Sequence, residues 1–172
     1  MAILPIVTAP DPRLREVSQP VEVVDDDVRR LMDDMLDTMY AAPGVGLSAI
    51  QVGVARRIVV IDVAKDPEPP TPLRMVNPEI VQRGDVVGPH EEGCLSFPDQ
   101  YEEVERPSAV QVRYLDENNE IRLVKATGLL AIALQHEIDH LDGVLLVDHV
   151  STIKRNMIMR RMKKMRRLQA AE

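Results

Sequence analysis

Apolar residues recur along this chain with two distinct periods, and those periods predict most of its elements. Val28, Leu31, Met32, Met35, Leu36 and Met39 share one side of a helix, the three-and-four spacing of an amphipathic segment. Asp25, Asp26 and Asp27 open it, where acids complement the positive end of the helix dipole. The pattern stops before Pro43, and Gly44-Val45-Gly46 reads as a tight loop. Residues 57–63 form a buried strand, and Pro67, Pro69 and Pro70 mark residues 65–72 as a surface loop. Shorter β-like runs follow at residues 74–81, 108–114 and 121–124, with Glu117-Asn118-Asn119 as a hairpin turn. Thr127 is placed to cap a helix over residues 128–141, and Gly143 stands where a C-terminal glycine belongs. That helix is apolar nearly all round from Leu129 to Leu134, so it is expected to run through the core. Ser151 starts a last helix, whose Ile153, Met157, Ile158, Met162, Met165 and Leu168 fall on one stripe. Strands between an early and a late helix predict an α+β fold: antiparallel or mixed strands around a central helix, with an N-terminal and a C-terminal helix.

Composition narrows the class. A chain of 172 residues fits one domain, with residues 1–150 as its catalytic body and residues 151–172 as a basic helix of the same unit. There is no Trp, Phe97 is the one Phe and three residues are Tyr, so the core is aliphatic and stacking on single-stranded nucleic acid is disfavoured. The lone cysteine, Cys94, excludes a disulfide within the chain and suits a reducing compartment. No apolar run approaches the ~20 residues that span a bilayer, and the first residues lack the basic flank and long apolar stretch of a signal peptide. The expectation is a cytoplasmic protein with no membrane partner and no specific DNA target. The net charge of −7 conceals an asymmetry: from Thr152 onward eight Lys/Arg face one acid, +7, whereas the rest has 13 bases and 27 acids, −14. A basic tail on an acidic body suggests a tail with its own partner.

The strongest chemical signal is His136-Glu137-Ile138-Asp139-His140, an H-E-x-x-H on the central helix. Residues four apart lie on one face, so both imidazoles reach one ion, and Glu137 is close enough to exchange a proton with water there. A polar triplet in the most apolar helix needs such a reason, because unpaired buried polar groups are costly. A catalytic ion needs a third protein ligand. The metzincin continuation fails because Leu146 occupies the last histidine's place, and the thermolysin pattern fails because the only glutamate beyond His140 is Glu172. Cys94, His90, His149 and nearby acids are left. Cys94 is the best of them: it lies in Glu91-Glu92-Gly93-Cys94-Leu95-Ser96, where a glycine lets the backbone approach an ion or substrate. His90 and His149 read as surface residues.

Three segments now stand in order: Gly44-Val45-Gly46-Leu47-Ser48-Ala49-Ile50-Gln51, Glu92-Gly93-Cys94-Leu95-Ser96, and Gln135-His136-Glu137-Ile138-Asp139-His140. Together they resemble the three signature motifs of the peptide deformylases, over almost the whole chain. The usual first motif has Ala-Ala where this chain has Ser48-Ala49. The resemblance implies removal of formate from the N-formyl-methionine of new polypeptides, with metal ligands Cys94, His136 and His140. It implies Fe2+ as the ion, with Zn2+ or Ni2+ as substitutes; two imidazoles and a thiolate by themselves accept any of these and cobalt. Glu137 would be the acid/base, and the Gln51 amide and the Leu95 backbone N–H would hold the oxyanion. Val45 and Gly46 would pair with the peptide backbone. Leu129, Ile132 and Ala133, on the face of the helix that carries His136, would line an apolar pocket for the methionine side chain. Glu92 and Arg106 resemble a structural ion pair of the family. Members with a basic C-terminal helix exist, so the segment from Ser151 to Leu168 is expected to anchor the chain to ribosomal RNA near the tunnel exit. A non-enzymatic, ribosome-associated descendant would be expected to lose Glu137, Gln51 or Cys94, and all three are present.

Overall fold

The computed structural model describes residues 2–171. The first helix, α1 (Asp26–Ala41), is capped by the Asp25 carboxylate, which accepts from the Val28 N–H at 2.9 Å. Three strands follow: β1 (Gly46–Ser48), β2 (Ile58–Ile61) and β3 (Leu73–Arg83). A hairpin of β4 (Val87–Cys94) and β5 (Phe97–Pro107) leads to β6 (Ala109–Leu115) and β7 (Ile121–Thr127). Helix α2 (Gly128–Leu141) and helix α3 (Thr152–Ala170) complete the chain. The strands form a five-stranded sheet, ordered β1-β2-β3-β6-β7, and a separate two-stranded sheet of β4 and β5. All the ladders are antiparallel, so the α+β architecture stands.

Strand β2 shows how the core is layered. Ile58 and Val60 pack with Val28, Met32 and Met35 of α1, whereas Val59 and Ile61 pack with Leu134, Ile138 and Leu141 of α2. Alternate side chains of a strand point to opposite faces, so the sheet lies between the two helices and all four β2 residues are buried. Helix α2 is buried from Ala131 through Ile138, which the all-round apolar pattern predicted. Thr127 precedes it without a side-chain capping bond.

Two expectations need revision. The β4–β5 hairpin was not predicted, because its buried positions include Glu92, Gln100 and Arg106 in place of an apolar alternation. The α3 stripe is also only partly docked. Ile158 and Met162 are buried against Leu145, Leu146, Val147 and Phe97, whereas Ile153 is 74% and Leu168 58% exposed. Among the described residues no helix is long and apolar enough to cross a membrane.

Candidate metal centre

Helix α2 places His136 and His140 one turn apart, and the last residue of β4 brings Cys94 to them. The three donor atoms lie within 4.8 Å of one another. His140 Nε2 is 3.2 Å from His136 Nε2 and 3.3 Å from Cys94 Sγ. Bonds of about 2.0–2.3 Å from a shared ion to two imidazoles and a thiolate fit that spacing. Residues from three distant stretches supply this corner, yet its orientation is fixed by a few bonds. His136 Nδ1 lies 3.0 Å from Glu92 Oε1. A carboxylate only accepts, so Nδ1 carries the hydrogen and Nε2 turns its lone pair toward Cys94 and His140. Glu92 is in turn gripped by the Nε and Nη2 groups of Arg106. Arg106 Nη1 donates to Asp139 at 3.0 Å, and Asp139 also faces the exposed His149 at 2.9 Å. The expected Glu92–Arg106 pair is therefore the middle of a longer network.

Burial and neighbouring charge move the groups of this corner in different directions. Burial works against a charge on His136, but Cys94 and Glu137 outweigh it and hold the imidazole well above the usual histidine range. Burial, reinforced by the His136 and Arg106 charges, holds His140 well below that range. Burial also opposes the Glu92 carboxylate, yet hydrogen bonds from His136 and Arg106 bring it down to about 2. In Glu137 burial dominates and pushes the carboxyl up to about 7. Its Oε1 is buried and has no hydrogen-bond partner among the described residues. Gly46 leaves the room this carboxylate needs: a Cβ there would stand 2.6 Å from Glu137 Oε2.

His136, Glu137 and Cys94 form one end of a cavity of about 560 Å³. One wall is the loop into β1, with Val45 and Gly46; the other is the β4–β5 turn, with Gly93, Leu95 and Tyr101. Strand β1 is an edge of its sheet. The Val45 carbonyl faces β2, where it accepts from the Asp62 N–H, and the Ser48 N–H turns away to Gln51. By strand alternation the N–H and C=O of Gly46 therefore face the free edge. Gln51, fully buried, holds its Nε2 3.6 Å from Cys94 Sγ. Leu129, Ile132 and Ala133 are placed differently: none lines this cavity, Leu129 is 43% exposed in the first turn of α2, and the other two are buried. Sequence reasoning missed the parts played by Ser48, Ser96 and Asp139, whereas His149, weighed as a ligand and read as a surface residue, is exposed. The signal for the serines was a hydroxyl within each of two motif segments that also carry a candidate site residue, Gln51 or Cys94; Asp139 carried none.

A half-buried cysteine sulfur and two buried imidazoles, beside a carboxyl that burial pushes up to about 7, define a metal-dependent hydrolase. Residues 3–156 match the model of the polypeptide deformylase family. A peptide deformylase of Rhizobium meliloti (strain 1021) is 52% identical over 172 residues, covering 100% of this chain and 99% of the relative. The crystal structure of the peptide deformylase from Ehrlichia chaffeensis superposes with a TM-score of 0.93 at 40% identity, covering 98% of this chain and 99% of that one. That from Legionella pneumophila gives 0.90 at 46% identity, covering 99% of each. A second Ehrlichia chaffeensis structure, in complex with actinonin, gives 0.91 at 43% identity, covering 95% of this chain and 98% of that one. The chain belongs to the polypeptide deformylase family, and it is an enzyme.

Proposed function

We propose that the chain removes the formyl group from N-formyl-methionine at the N-terminus of newly made polypeptides in the cytoplasm, with Cys94, His136 and His140 holding one divalent ion, Fe2+ by family resemblance and Zn2+ or Ni2+ as substitutes. Such an ion supplies Lewis acidity to the formyl carbonyl and lowers the pKa of water. Glu137 takes a proton from the attacking water and returns it to the departing amine, because one carboxyl poised near neutral pH serves in both directions. The Gln51 amide and the Leu95 N–H hold the oxyanion as it develops. Gly46 and Val45 align the substrate backbone along the open edge of β1. Ile132 and Ala133, with Leu129 at the helix start, take the methionine side chain. The cationic face of α3, from Ser151 to Leu168, contacts ribosomal RNA near the tunnel exit; all eight of its Lys and Arg residues are exposed.

The observation that carries this reading is the buried, unpartnered Glu137 oxygen beside the three converging donors at the end of the cavity. Formate release from a formyl-methionyl peptide tests it. Glu137→Gln is expected to keep its metal, measured by elemental analysis, while kcat falls about 10²–10⁴-fold, the range of a lost acid/base. Cys94→Ser is expected to lose metal on dialysis against a chelator. Actinonin should stop turnover of the parent protein. A metal-loaded Glu137→Gln protein with full activity would remove the mechanism.

A further inference from the structure

The Gln51 carboxamide has four hydrogen-bonding sites: Ser48 and Ser96 hold three of them, and the fourth, one N–H, is turned toward Cys94 Sγ at the metal corner. Its Oε1 accepts from the Ser48 N–H and from the Ser48 Oγ–H, each at 3.0 Å. Its Nε2 donates to Ser96 Oγ at 3.0 Å and lies 3.6 Å from Cys94 Sγ. Ser96 has already given its own hydrogen to the Val7 carbonyl at 2.7 Å, so toward Gln51 it can only accept. Val7 closes the loop, because its N–H donates to the Gln51 carbonyl at 2.7 Å. Ser48, Gln51 and Ser96 are all buried to 1% exposure or less, and water cannot readily replace a missing partner.

This arrangement decides which way the carboxamide points. A flipped Gln51 would set its NH2 against the Ser48 N–H and its oxygen against the lone pairs of Ser96. Of the two donors on Oε1 the backbone N–H is common to any residue, whereas the hydroxyl is a property of this side chain. Filling the second lone pair also polarises the amide and strengthens its N–H as a donor.

We infer that Ser48 is a positioning residue for deformylation: its hydroxyl locks the Gln51 carboxamide with one N–H aimed at the reacting atoms. This rests on the reading of Gln51 as an oxyanion donor, and the test separates the two. In zinc-loaded protein, kcat and KM for a formyl-methionyl peptide are measured in Ser48→Ala, Gln51→Ala and the double variant. Ser48→Ala is expected to lower kcat about tenfold, the worth of roughly one hydrogen bond, with KM within about twofold. Gln51→Ala is expected to lower kcat on the order of 10²-fold, and Ser48→Ala should add nothing in that background. Loss in Gln51→Ala but none in Ser48→Ala overturns the role of Ser48 alone, and so does a full tenfold loss on top of Gln51→Ala. Unchanged kcat in Gln51→Ala overturns the Gln51 reading and this one with it. Independently of any variant, the Gln51 side-chain amide of the zinc-loaded parent should give a single, exchange-protected pair of NH2 resonances by NMR. Two interconverting sets would show a carboxamide that flips, and would end the proposal.

Discussion

Glu137 and Gly46 are 91 positions apart in sequence but share one small volume, and the reaction depends on how that volume is divided. A methyl at position 46 would meet both the Oε2 of Glu137 at 2.6 Å and its Cγ at 2.9 Å. The carboxylate would have to swing away, because the Gly46 backbone is tied into β1. Gly46→Ala is therefore expected to lower kcat on the order of 10²-fold, the cost typical of a 1 Å displacement of a reacting group. Its metal content should not change, since the three atoms nearest the new methyl all belong to Glu137 and not to a ligand. Elemental analysis beside formate release distinguishes this from a loss of the ion. The pair His136 and His140 was legible in the sequence because helical spacing alone encodes their geometry. Gly46 was legible only as a turn-former, since its true neighbour lies on another element.

At the scale of elements, the short 3₁₀ turn Leu146–His149 shows how the fold joins its N-terminal segment to the end of α2. Asp148 accepts from the Leu145 N–H at 2.8 Å and from both Nη atoms of Arg15, at 2.6 and 3.0 Å. Burial works against the Asp148 carboxylate, but these bonds outweigh it and lower its pKa. A carboxyl whose folded pKa is depressed stabilises the fold above its unfolded value and loses that contribution as pH falls through the folded one. Asp148→Asn should accordingly cost on the order of 1 kcal/mol at pH 7, discounted for partial exposure. The difference from the parent in urea unfolding should shrink as pH drops below about 3.9, the unfolded aspartate value. What was legible at this scale followed the chemistry of burial. α1, α2 and strands β2, β3, β6 and β7 pack apolar faces and announce themselves by apolar pattern, whereas β1, which begins in what reads as a tight loop, does not. The β4–β5 hairpin turns Glu92 and Arg106 inward to serve the metal corner and buries Gln100 under Arg161 of α3, so it carried no apolar alternation. Cys94 was found through its motif and not through any strand pattern.

For the whole molecule, α3 is both structural and free. Ile158 and Met162 close the third core cluster over Phe97 and Leu146, and burying two such side chains is worth roughly 1.5–3 kcal/mol each. Lys154 pairs with Glu102 at 3.4 Å and Arg161 donates to Gln100 at 3.1 Å, so the helix also leans on the wall of the cavity. Removing the helix would therefore unsettle the site as well as any docking surface. Charge reversal is the cleaner test. Arg160, Lys163, Lys164 and Arg167 are exposed and form no ion pair among the described residues. Changing all four to Glu should leave kcat/KM for a short formyl-peptide within about twofold and abolish salt-sensitive co-sedimentation with ribosomes, because phosphate binding works through counterion release. Equal sedimentation would leave the charge with another purpose.

The unpaired edge of β1 has a consequence for the range of proteins such a molecule can serve. Main-chain groups are the same in every polypeptide, so a partner recognised by laying its backbone along Gly46 is recognised without regard to what its later side chains are. On the proposed reading, a sheet left one strand short beside Glu137 would make one gene product competent for an entire proteome, with discrimination confined to the first residue and to the formyl group itself.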